Sequence, residues 1–129
     1  MIVVDSSIWI DNVRGVVTPQ VTQLQQRLRA DEILVGDLVL LEVLRGARDD
    51  RDVQRLDKIL RRFAIVPMMD EDIAREGARL YRVLRGDGIT IRKTVDLIIA
   101  TFCLVGGHYL LHGDRDFMPF VKRFGLKLA

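Results

Sequence analysis

Four carboxylates in this 129-residue chain stand where a carboxylate is costly. Asp5 ends the apolar run Ile2-Val3-Val4. Glu42 is the only charge in LVLLEVL, residues 38–44, and Asp96 is the only charge in VDLIIATFCLV, residues 95–105. Asp114 follows the apolar YLL of HYLLHGDRDF. The other acids mostly lie in Arg-rich, solvated stretches such as RDDRD. A helix apolar on nearly every side is buried, and an ionised carboxylate buried without a partner is expensive. The nearest bases, Arg45 for Glu42 and Arg92 for Asp96, stand just outside the apolar runs. Several acids sharing one hard divalent cation, Mg²⁺ or Mn²⁺, offset that cost, with water or phosphate oxygens completing the shell. Each acid also has an ordinary reading. Asp5 can cap the following turn, and Glu42 can pair with Arg45. Asp96 can face the positive end of a helix capped by Thr94, and Asp114 and Asp116 can shape a turn before Phe117. One shared site is more economical than four separate explanations.

The elements that must position these acids are short apolar strands alternating with amphipathic helices. Strands are expected at Ile2–Val4, Ile33–Val35, Ala64–Val66, Tyr109–Leu111 and Leu126–Leu128. Thr18-Pro19 reads as a helix cap with proline at the first helical position, followed by Val21, Leu24 and Leu28 at helical spacing. Val53, Leu56, Ile59, Leu60 and Phe63 repeat the pattern. Asp70 caps a helix with Ile73, Leu80, Tyr81 and Leu84 on its apolar face, and Gly86 ends it. Strands separated by helices imply crossovers and a parallel sheet covered on both faces. Ligands of such sheets bind beyond the carboxyl ends of the strands, and Asp5 sits at one such end.

Bulk composition narrows the class. The length suits one domain over residues 1–129, and 49% hydrophobic residues supply a core. No apolar run is long enough for a membrane span, and no secretory signal is evident. Cys103 is the only cysteine, so no disulfide framework forms within the chain and a reducing cytoplasm is the expected home. The net charge is +2, and 16 of the 20 basic residues are Arg. Arginine suits bidentate phosphate recognition, although a GC-rich genome raises it too.

The ordered set VVDSSIWID, LEVLRGA, TVDLIIA and LLHGDRDF resembles the PIN-domain ribonucleases, and within them the VapC toxins of bacterial toxin–antitoxin pairs. The resemblance covers essentially the whole chain. It implies an α/β three-layer sandwich with a central parallel five-stranded sheet, order 3-2-1-4-5, flanked by helices. It implies that Asp5, Glu42, Asp96 and Asp114 are the catalytic acids around one or two Mg²⁺ or Mn²⁺ ions, with Asp116, Ser6 and Ser7 as secondary members. It also implies an RNA substrate such as tRNA, a VapB-like antitoxin and a homodimer. Arg92 and Lys93 lead into the Asp96 segment and are the expected substrate contacts. Arg75, Arg79, Arg82 and Arg85 share one helical face and bind phosphate or an acidic partner, or form a solvated face with local pairs such as Glu71–Arg75. His108 and His112 could be acid–base groups or ligands, but their order around a strand favours structural roles, with His112 better placed to reach the site, while Phe102 and Cys103 read as core. Trp9 reads as core or as a seat for a partner's side chain.

Two rival phosphate chemistries fit less well. Phosphoryl transfer to Asp5 calls for a second aspartate two positions on, where Ser7 stands. A receiver domain calls for an acidic pair near the first strand and a late lysine, neither convincingly placed. A PIN-like module that only binds RNA or protein has no need of four costly carboxylates.

Overall fold

Three consecutive buried β-favouring residues, Ile2, Val3 and Val4, make the central strand of a parallel sheet. The structure, a computed structural model, describes residues 1–27, 29 and 31–129. In chain order the elements are β1 (Ile2–Val4), α1 (Ser6–Val13), α2 (Pro19–Gln26), β2 (Ile33–Gly36), α3 (Asp37–Arg45), α4 (Asp50–Leu60), β3 (Ala64–Val66), α5 (Glu71–Gly86), α6 (Thr94–Gly106) and β4 (Tyr109–Leu111). A 3₁₀ turn (Arg115–Phe117) and α7 (Met118–Phe124) follow. The sheet order is β3-β2-β1-β4, with every pair parallel. Ile2 lies opposite Ile33 on one side and Tyr109 on the other.

Right-handed crossovers place α1 to α4, which connect β1 to β2 and β2 to β3, on one face. The return from β3 to β4 runs the opposite way and places α5 and α6 on the other. Packing agrees: α1 touches α2 and α3, α3 touches α4, and α5 lies along α6. The result is the expected three-layer sandwich. The expected fifth strand is the exception. Of Leu126–Leu128 only Leu128 bridges Leu110, so the sheet has four strands among the described residues. Gly125, in the left-handed region at φ 73°, turns the chain out of α7. The Leu126 N–H then bonds back to the Phe120 carbonyl at 3.2 Å, closing the helix instead of extending a ladder.

Local signals account for several boundaries. Thr18 Oγ1 accepts from the Val21 N–H at 3.0 Å, and Asp70 Oδ1 accepts from Ile73 N–H at 2.8 Å, fixing the starts of α2 and α5. Leu28 lies outside the described residues. The core joins Trp9, Phe117, Phe120, Leu24, Ile33, Leu84 and Ile99, with the Trp9 and Phe63 rings 5.2 Å apart. Trp9 is therefore core. Gly36 ends β2 and caps α3, and a β-carbon there would land on the sulfur of the fully buried Met68. Gly36→Ala is expected to cost about 1–3 kcal/mol by overpacking, measured by urea denaturation. An unchanged midpoint would show that Met68 re-packs freely.

Candidate metal centre

Asp5 leaves β1 exactly where α1 begins, and its backbone is tied on both sides. Its N–H donates to the Leu111 carbonyl of β4 at 3.0 Å, and its own carbonyl accepts from the Ile8 N–H at 3.1 Å. The side chain does not cap α1. Instead Oδ2 accepts from the Ser7 hydroxyl at 2.7 Å, and Oδ1 is buried with no hydrogen-bond partner among the described residues. Ser6 reaches the other way, donating to Glu42 Oε1 at 3.0 Å. The two hydroxyls after Asp5 thus orient two of the acids.

Glu42 is half-buried on α3, and Arg45 Nη2 lies 3.8 Å from Oε2. The pair expected from sequence forms, but loosely and beside the stronger Ser6 contact. The segment around Glu42 is not buried all round, since Leu41 is 57% exposed. The apolar run supplies one packed face, with Val39 and Val43 inside.

Asp96 fits the premise of a costly carboxylate better. It is 6% exposed, in the first turn of α6, and Oδ2 is buried without a hydrogen-bond partner among the described residues. Lys93 is the cap residue of α6 and makes no side-chain cap bond, so Thr94 is inside the helix rather than its cap. Burial pushes the Asp96 carboxyl up to about 6, with the charges of Asp5, Asp114 and Glu42 adding to the shift and Lys93 opposing it. The other three acids singled out from sequence therefore all act on Asp96 through charge. Ile99, Ala100 and Cys103, further along α6, have no exposed surface. Burying a side chain the size of Ile99 contributes roughly 1.5–3 kcal/mol, which helps hold Asp96 in an unfavourable place.

Asp114 follows β4 and caps the 3₁₀ turn, its Oδ1 accepting from the Asp116 N–H at 2.9 Å. Its own N–H donates to His112 Nδ1 at 3.1 Å. Carboxylate oxygens of Asp96, Asp114 and Asp116 lie within 4.8 Å of one another, a spacing that one divalent ion can bridge. Asp116 thus joins the tightest acidic group, while Glu42 stands outside it and Asp5 faces Asp96. The sequence places Glu42 among the ligands and Asp116 among the secondary members. The difference arises because the 3₁₀ turn folds Asp116 back beside Asp114.

The remaining sequence candidates sort clearly. The Lys93 ammonium sits 3.6 Å from Asp114 Oδ2. The charges of Asp96, then Asp114 and Asp116, raise the Lys93 pKa above its usual value. Arg92 is exposed. His112 packs its ring 5.0 Å from Phe117, and burial lowers its pKa. It is a neutral acceptor bracing the Asp114 turn. His108 stacks on Phe102 at 5.2 Å, Phe102 is half-buried, and Cys103 is fully buried with its thiol pushed up to about 12. On α5, Arg75 pairs with Glu71 at 3.2 Å and Arg79 with Glu76 at 2.6 Å, so half of the arginine stripe is engaged locally.

The acid set fits a divalent cation: hard oxygen donors, two buried carboxylate oxygens left without partners, and a third acid group within bridging distance. Because Ser7 holds one Asp5 oxygen and leaves the other open, Ser7→Ala is expected to weaken Mn²⁺ affinity about tenfold or more, as loss of an outer-shell bond does. Calorimetric titration reads this directly, and an unchanged affinity would remove Ser7 from the site.

Comparison with known proteins identifies the family and the fold. The family model for the PIN domain matches residues 2–120, and the chain belongs to that family. Ribonuclease VapC19 of Mycobacterium tuberculosis is 31% identical over 121 residues, spanning 93% of this chain and 94% of the relative. VapC ribonuclease Mb1587 of Mycobacterium bovis is 28% identical over 131 residues, 100% of this chain and 98% of the relative. Among solved structures, VapBC2 from Rickettsia felis bound to a promoter DNA fragment superposes with a TM-score of 0.78 at 20% identity, covering 100% of this chain and 98% of that one. FitAcB from Neisseria gonorrhoeae gives 0.74 at 19% identity, covering 100% and 95%. These structures share the fold.

Proposed function

We propose that the protein is a divalent-metal-dependent endoribonuclease toxin of the VapC type, acting in the cytoplasm and held in check by a VapB-like antitoxin. The observation that carries the metal requirement is the pair of buried, partnerless oxygens on Asp5 and Asp96 amid further acids. The ribonuclease assignment is supported by full-length likeness to proteins named as VapC ribonucleases. Asp5, Asp96 and Asp114 are the ligands we assign to Mg²⁺ or Mn²⁺, with Glu42 and Asp116 completing the acidic wall. A bound ion supplies Lewis acidity, lowering the pKa of a water and offsetting charge on the scissile phosphate. Ser7 fixes the Asp5 carboxylate and Ser6 fixes Glu42, so that neither acid has to reorganise during the reaction. Neither serine is a nucleophile; water attacks in line, leaving a 5′-phosphate and a 3′-hydroxyl. Arg92, exposed just before α6, contacts the RNA backbone. By analogy with the family, the substrate is a structured RNA such as tRNA.

The partner reading has its own support. A cleft of about 410 Å³ between α1, α3 and α4 is lined by Ile10, Val13, Val43 and Leu56 and by Arg14, Arg48, Arg55 and Asp52, the last pairing with Arg48 and Arg55. An antitoxin segment with apolar and acidic residues fits it. Homodimerisation is part of the same proposal. No helix among the described residues is long and apolar enough to cross a membrane. The test of the chemistry is the product ends: labelled tRNA cut by the purified protein should yield 5′-phosphate and 3′-hydroxyl termini. Cyclic 2′,3′-phosphate ends would overturn hydrolysis by water.

A further inference from the structure

Lys93 occupies a position that is unfavourable by local rules. It caps the N-terminus of α6 without a capping bond, and it brings a positive charge to the positive end of the helix dipole. Its ammonium is nevertheless turned toward the acids, 3.6 Å from Asp114 Oδ2, although the side chain is 62% exposed and has room in solvent. Asp114 is also one of the three acids whose oxygens lie within 4.8 Å of one another. The ammonium and a divalent ion therefore seek the same carboxylate.

We propose that Lys93 is a tethered cation that competes with the divalent ion for Asp114. It holds that carboxylate in place in the metal-free protein and withdraws when the ion binds. This rests on the metal-centre reading above and extends it to how tightly the ion is held. Lys93 is a positioning residue in this role. It sets the metal concentration at which the site fills, and once displaced its exposed ammonium is free to meet a substrate phosphate. An exposed pair of this kind is modest in strength, and a positive charge beside a divalent ion also repels it. Removing Lys93 should therefore tighten metal binding rather than weaken it. A lysine that merely supports the fold, or merely binds RNA, would not have this effect.

The experiment is titration of the full-length, chelator-stripped protein with Mn²⁺ by isothermal calorimetry at fixed ionic strength. Lys93→Ala and Lys93→Gln are each expected to bind Mn²⁺ about three- to tenfold more tightly than the wild type. Lys93→Arg, which keeps the charge, should stay within about twofold of wild type, as should Arg92→Ala, which removes a neighbouring exposed charge. Equal or weaker binding in both neutral Lys93 variants would overturn the competition, as would equal tightening in Arg92→Ala, which would indicate a general charge effect. Saturable binding in the wild type with either of those results would leave the metal centre standing. No saturable binding in the wild type would overturn the metal centre and this inference together.

Discussion

An Asp96→Asn protein is expected to lose about a thousandfold or more of its RNA cleavage, yet to be more stable than the wild type in metal-free buffer at neutral pH, by about 3 kcal/mol. The two effects share one cause. The Asp96 carboxyl is pushed from 3.8 up to about 6, chiefly by burial and then by Asp5, so the metal-free fold prefers it protonated. Below about pH 4 the group is protonated folded and unfolded, and the fold has the full benefit. As pH rises through about 6 that benefit is lost, because the folded state must then carry an ionised, partnerless oxygen. Asparagine carries no such charge at any pH. The stability gap between variant and wild type should therefore be small near pH 4 and open between about 4 and 6. Urea denaturation in EDTA at pH 4.5 and 7.5 measures it, and a gap independent of pH would contradict the assignment. Adding Mg²⁺ should close most of that gap. Ligand at one hundred times its dissociation constant stabilises the wild type by about 2.7 kcal/mol and does little for the variant.

Phe117→Ala carries the other large effect. The side chain has no exposed surface, and its ring packs 5.0 Å from His112, whose Nδ1 accepts from the Asp114 N–H at 3.1 Å. Removing the ring is expected to cost about 3–5 kcal/mol through lost burial and a cavity. Because Phe117 closes the 3₁₀ turn that begins after Asp114, the loss should reach the site as well. The variant should hold Mn²⁺ more weakly even at temperatures where it is fully folded. Thermal denaturation with and without Mn²⁺ separates the two effects. A full loss of stability with an unchanged Mn²⁺-induced shift would show that the turn holds Asp114 without help from the core.

The sequence makes the central sheet legible because its short runs are apolar, fully buried in β1 although Ala64 and Ile65 of β3 stay exposed. Ile2–Val4, Ala64–Val66 and Tyr109–Leu111 appear at their expected bounds, and Ile33–Val35 extends by one residue to Gly36. Leu126–Leu128 sets two leucines around Lys127, but the Leu126 N–H is used to close α7, a tertiary choice that strand propensity does not encode. The acids were legible for a similar reason: an isolated charge in an apolar run is conspicuous wherever the chain folds. Their ranking was not. Asp116 stands in a visibly polar stretch, and only the tight 3₁₀ turn brings it beside Asp96 and Asp114. Glu42 looked deeply buried because its run is apolar, yet a helix one turn from solvent leaves Leu41 open. The ion pair between Lys93 and Asp114 joins residues 21 positions apart and has no local signal at all.

The most direct test is incubation of the purified protein with a pool of small RNAs in Mg²⁺ or Mn²⁺, then in EDTA, beside Asp96→Asn. Discrete products that disappear with the chelator and in the variant are the expected result. Cleavage that persists in EDTA, or in folded Asp96→Asn protein, would contradict a metal-dependent nuclease built on these acids.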